Sequence, residues 1–232
     1  MMHKLKNIIT RAKDSAPFIY NLAFMLWSRR NFRFNGKNVH GQNNIIENNS
    51  GMLNGVVFNI NGDGNKVKIG SMAALDNVTF HIQGNSNNVV IGSDCRIANS
   101  AIWIEDNYSE INIGEKTTIG GAHLAATEDN SKIIIGDDCM LAYDIDIRTG
   151  DSHGIYNESG QRINKSENIT VGRHVWMGTK CIILKGVNIG EGSIVGTGSV
   201  LTSGQYPPGV ILAGNPARLV KRGITWKRSR SD

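Results

Sequence analysis

The dipeptide Ile-Gly recurs at positions 69, 91, 113 and 135, a step of 22 residues each time. Val67, Val89, Ile111 and Ile133 keep the same step, as do Leu75, Ile97, Ile119 and Leu141. Phe80 and Ile82 are matched by Ile102 and Ile104, then by Leu124 and Ala126. From residue 171 the period becomes six, through Val171, Met177, Ile183, Ile189, Val195 and Leu201, with Gly directly after four of them. Four residues after the first five of these aliphatic positions stand Val175, Cys181, Val187, Ser193 and Ser199. A period of six interrupted by glycine fits no α-helix. Sustained repetition of this kind is the mark of a stacked solenoid. The pattern aliphatic-Gly-x-x-small-x predicts short parallel strands with the aliphatic residue inward, three hexapeptides closing one triangular coil. The 22-residue unit then reads as an 18-residue coil with about four extra turn residues.

The composition agrees. The chain has 27 Gly and 26 Asn, residues that tolerate turn conformations. Cys95, Cys139 and Cys181 each fall at the small position of the repeat, which predicts packing residues in a reducing compartment rather than ligands, nucleophiles or disulfides. Charge is segregated. Residues 41–217 hold eleven basic and eighteen acidic side chains, whereas residues 1–40 and 218–232 are strongly basic. An acidic body argues against a nucleic-acid groove, while basic ends suit phosphate groups or an anionic membrane surface. The run 18–27 is too short to span a bilayer. Three segments are expected: a basic, apolar helical appendage over 1–38, the solenoid over 39–215, and a basic tail over 216–232 with a short closing helix near 219–226.

The register breaks once, in the polar run 148–168. A long loop inside a regular solenoid is usually functional. It contains Asp151, Ser152 and His153, and it is preceded by Tyr143, Asp144, Asp146 and Arg148. Asp144 can hydrogen-bond a sugar hydroxyl and Arg148 can meet an acidic sugar's carboxylate, although a solvated strand edge explains the cluster nearly as well. His81, His123 and His174 read as surface or corner residues.

The segment 171–220, VGRHVWMGTKCIILKGVNIGEGSIVGTGSVLTSGQYPPGVILAGNPARLV, closely resembles the C-terminal part of hexapeptide-repeat acetyltransferases with a left-handed parallel β-helix. The branch is that of maltose and galactoside acetyltransferases and of bacterial polysaccharide O-acetyltransferases, including those of polysialic acid. The resemblance implies left-handed coils, which the residues alone do not show. It implies acetyl-CoA as co-substrate, no metal, a homotrimer, and transfer to a hydroxyl of a cell-surface polysaccharide or its sugar precursor. His153 matches the family's general base and Trp176 its tryptophan beside the acyl donor, with Asp151 a candidate to orient His153. Gly178, Thr179, Gly196, Thr197, Thr202, Arg218 and Lys221 match donor-binding positions, and Gly178 is also a candidate oxyanion donor. Tyr143, Asp144 and Arg148 fall on the acceptor side. A cytoplasmic protein, at the inner face of the membrane through its N-terminal segment, is expected. A zinc hydratase on the same coil needs three convergent histidines, and His123, His153 and His174 lack the spacing. A non-catalytic scaffold would not need the loop. N-acetylation of an amino sugar stays open, because the same base serves an amine.

Overall fold

The computed structural model describes residues 36–230. The helical appendage and membrane contact expected of the N-terminal segment lie in residues outside the described ones. The described chain is built from 23 strands and, among the described residues, no helix. It winds as a parallel solenoid with three strand columns. One column carries Lys66–Ile69, Asn88–Ile91, Glu110–Ile113, Lys132–Ile135, Ile169–Val171 and Val187–Ile189. The second carries Thr118–Ile119, Met140–Leu141, Trp176–Met177 and Ile194–Val195. The third carries Ala122–Ala126, Ile145–Arg148, Ile182–Ile183 and Val200–Leu201. Pairing begins already at Gly36–His40, which joins Val57–Asn61 in register, so the regular coils start before residue 39.

The register follows the sequence period. Phe80 pairs with Ile102 and Ile102 with Leu124, steps of 22. Trp176 pairs with Ile194, a step of 18, and between the two regimes Ile133 pairs with Ile169 across 36 residues that include the loop. Side chains alternate across each strand, so the repeat aliphatics meet in one continuous core from Leu53 to Leu212. Phe58 and Phe80 stack inside it with ring centroids 4.8 Å apart.

The extra residues of the 22-residue unit sit differently from expectation. They are shared between a corner and a longer third face. Phe80 and Ile82 both point inward from Ala74–Gln83, where an 18-residue coil supplies only Ile183. The prism is therefore broader on this face in its N-terminal half. The closing helix is also corrected: Ala217–Arg222 is a strand, antiparallel to Val210–Gly214. It covers the last coil's open edge, which a parallel solenoid otherwise leaves with unpaired backbone groups.

Asparagine does more than turn the chain. Asn65 and Asn87 are fully buried at successive corners. The Asn65 side chain accepts from the Asn87 N–H at 3.0 Å, and the Asn87 side chain accepts from the Ser109 N–H at 2.8 Å while donating to the Asp106 carbonyl at 2.9 Å. Replacing Asn87 by alanine orphans both of those backbone groups, so a loss of about 2–4 kcal/mol is expected, read as a lower thermal midpoint with unchanged β-content by circular dichroism.

The three cysteines are buried at the small positions, each thiol turned toward a backbone carbonyl of the next coil: Gly114, Gly172 and Gly196. Burial pushes the Cys95 thiol up to about 12 and that of Cys139 to about 11, and it raises Cys181 as well. Such thiols stay protonated and inert.

Candidate active site

The loop 148–168 leaves the prism at the vertex between the third column and the first. Arg162 closes it with a two-pronged ion pair to Glu128. Asn164, 7% exposed, is its hub. Its amide donates to the His153 carbonyl at 2.7 Å and to the Asp151 carboxylate at 2.9 Å, and its oxygen accepts from the Ile155 N–H at 2.7 Å. Sequence reasoning passed over Asn164 because an asparagine in a polar loop carries no periodic signal. His153 itself is exposed, and its ring takes no hydrogen bond among the described residues. Asp151 is turned elsewhere. Lys185 binds its carboxylate and, with Asn164, holds it below the usual carboxylate range. The structure thus makes Asp151 an anchor of the loop rather than an orienter of the imidazole.

Trp176 stands on the second column, 37% exposed. Its outward row continues through Ile194 and Ile211 to Lys221. At the neighbouring vertex Gly178 lies directly over Thr197: a Cβ on Gly178 would meet the Thr197 nitrogen at 2.7 Å, so only glycine lets the coils close there. Ala213 lies against Gly196 and pairs with Arg218. Thr179, Thr197, Gly196 and Arg218 thus share one corner beside Trp176, whereas Thr202 sits at a different vertex, one face away. Gly178 cannot serve as oxyanion donor, since its N–H is spent on the Val195 carbonyl at 2.8 Å.

On the other edge of the Trp176 face the chain's tail runs back along the prism. Trp226 stacks on His174 with centroids 4.0 Å apart and lies 6.0 Å from Trp176. His174 Nδ1 lies 2.7 Å from Asp138, and Arg228 grips Asp138, Thr118 and the carbonyls of Lys116, Asp138 and Cys139. Burial pushes the Asp138 carboxyl up, but hydrogen bonds from His174 and Arg228 outweigh it and hold it low. A depressed carboxyl stabilises the docked tail above its ordinary range and ceases to as pH falls through the folded-state value. Tail release is therefore expected only on acidification below the usual aspartate range, checked by the shift of Trp226 emission toward that of exposed indole.

Tyr143 and Asp144 line a groove of about 750 Å³ with Asn77, Asn99, His123 and Asp146. His81 and His123, expected at corners, lie on flat strands. Ile119 pairs with Leu141 at a step of 22 and Ala122 with Ile145 at 23, so the turn between them carries one extra residue and pushes Tyr143 outward over Gly120. Arg148 binds both carboxylate oxygens of Asp146, and His123 Nδ1 lies 3.6 Å from Oδ1 of that carboxylate.

No family model matches the chain. It is 36% identical over 93 residues to a polysialic acid O-acetyltransferase of Escherichia coli O1:K1, covering 40% of this chain and 30% of that protein. It is 35% identical over 92 residues to the polysialic acid O-acetyltransferase of Neisseria meningitidis, covering 39% and 43%. These alignments span less than half the length of the curated relatives. The crystal structure of the polysialic acid O-acetyltransferase OatWY superposes more fully, over 85% of this chain and 92% of that one, with 31% identity and a TM-score of 0.79. With a relative of that identity matched over nearly its whole length, the chain belongs to the hexapeptide-repeat acetyltransferases with a left-handed parallel β-helix.

Proposed function

We propose that this protein is an acetyl-CoA-dependent O-acetyltransferase acting on a hydroxyl of a cell-surface polysaccharide or its sugar precursor, at sites shared between the copies of a homotrimer. One observation carries the reading. The loop with His153 sits at the vertex opposite the face with Trp176, so one prism cannot bring both to the same acetyl group. Side-by-side prisms related by rotation can.

The donor supplies an acetyl thioester. The corner with half-buried Thr179 and exposed Thr197 and Arg218, and the row ending in exposed Lys221, offer hydroxyls and cations to a phosphate-bearing donor beside the Trp176 indole. His153 takes the hydroxyl proton as the acceptor oxygen bonds to the acetyl carbon, and returns it to the departing sulfur. No covalent enzyme adduct is needed when both substrates are held together. A thioester made in the cytoplasm supports a cytoplasmic location, and the basic composition of residues 1–40 supports contact with the anionic inner membrane surface.

The test is acetyl-CoA turnover against sugars, oligosaccharides and amino sugars, with mass spectrometry of the product and light scattering of the protein. O-acetyl product from a trimer supports the reading. A fully active monomer, or acetylation of amines alone, overturns it.

A further inference from the structure

The broad third face carries an unassigned aromatic ridge. His81, Trp103, Ala125 and Arg148 occupy one outward column on successive coils. His81 and Trp103 stack at 3.7 Å between centroids and 16° between planes, and His123 meets Trp103 edge-on at 6.2 Å. The strands Ala74–Gln83 and Arg96–Glu105 carry the ridge across this face, whereas Ile182–Ile183 and Val200–Leu201 end before that column. Alongside it runs the groove described above. Ala101, Ser100, Gly121 and Ala122 give it a floor of small residues, and Tyr143 walls it at the vertex. Asn77 and Asn99, hydrogen-bonded to each other at 3.0 Å, edge its other side.

We propose that this groove is an acceptor subsite that seats an uncharged glycan segment, its sugar rings against the Trp103–His123 ridge and Tyr143, and its hydroxyls on Asn77, Asn99, Asp144 and Asp146. The proposal rests on the acetyltransferase reading only for the view that the acceptor is a glycan. Aromatic walls with amide and carboxylate groups suit the apolar faces and hydroxyl edges of a pyranose. The charge decides against an acidic sugar here. The lining holds two carboxylates and no Lys or Arg. Arg148, the cation nearest at hand on the ridge column, is held by Asp146. A polyanion would meet like charge in this groove without a free cation to offset it. A second copy of the chain fits less well, because amide, hydroxyl, imidazole and carboxylate groups interrupt the small apolar side chains of the lining. The groove lies at one edge of the third face, and the strand Ile145–Arg148 leads from it across that face to the loop bearing His153.

The experiment is isothermal titration calorimetry of the full chain, without acetyl-CoA, against maltotetraose, chitotetraose and a sialic acid tetramer, followed by acceptor kinetics. At least one neutral probe is expected to bind and the sialic acid tetramer to bind at least tenfold more weakly. Trp103→Ala should weaken the neutral probe by roughly tenfold, with Trp103→Phe recovering most of the loss. Tyr143 is 61% exposed, so Tyr143→Ala tests the opposite wall without touching the core, with a severalfold loss expected. In turnover, both losses should fall on the acceptor KM rather than the donor KM. Preference for the sialic acid tetramer, binding of no probe, or neutral binding indifferent to both substitutions overturns the proposal. So does a Tyr143→Ala variant that changes assembly and not binding. Neutral binding that depends on Trp103, without acetyl transfer, would instead count against the acetyltransferase reading alone.

Discussion

Replacing His153 by alanine should lower kcat by roughly a hundredfold or more, the usual contribution of a positioned general base. The corner proposed for the donor is on another face, so affinity for CoA, measured separately by calorimetry, should stay within about twofold in a base-only role. The loop should persist in the variant. It is held by Asn164 on the His153 backbone and by Arg162 on Glu128, neither of which uses the imidazole. A variant with near-normal kcat at saturating substrate and an intact trimer removes His153 as the base. Suspicion then passes to His123, the imidazole that faces the groove with Asp146 beside it.

Mixing two crippled chains should restore activity. His153→Ala and Trp176→Ala each damage every site of a uniform trimer. Because the two residues stand on opposite sides of one prism, a shared site takes His153 from one copy and Trp176 from its neighbour. A trimer containing both variants then has one site with both residues intact. Random equal mixing by co-expression returns roughly a quarter of the wild-type sites. Turnover is measured at acetyl-CoA well below the KM of the Trp176→Ala protein, where that variant contributes least. Activity no greater than the mean of the two parents, in trimers shown by mass spectrometry to be mixed, would mean that each chain builds its own site.

Much of this architecture was legible because the core is periodic. Ile69, Ile91, Ile113 and Ile135 face inward at a step set by the coil, so the core wrote the fold into the sequence. The loop was legible for the converse reason, as the place where that period lapses. Outward positions carry no such constraint. His81 read as a surface or corner residue and Trp103 carried no signal, although the 22-residue step already aligned the two. A period also says nothing about where its extra residues go, since a longer strand and a longer turn give the same spacing. The C-terminal strand was missed because pairing decided it: Ala217–Arg222 has the length of a helical turn or two, and the open edge at Val210–Gly214 captured it. Side chains gave no warning that Gly178 had already committed its N–H to Val195.

The change of perimeter from 22 to 18 residues divides the molecule into parts that can vary separately. Inserting or deleting one whole 22-residue coil, such as residues 75–96, keeps every later residue in its column, because each coil touches only the coils above and below it. The face with Trp176 and the corner with Thr179 and Arg218 would be unaltered. The groove would become one strand spacing longer or shorter, about 4.8 Å. Coil number is in this sense a ruler, by which a lineage can lengthen or shorten the groove proposed for the acceptor while leaving the Trp176 face untouched.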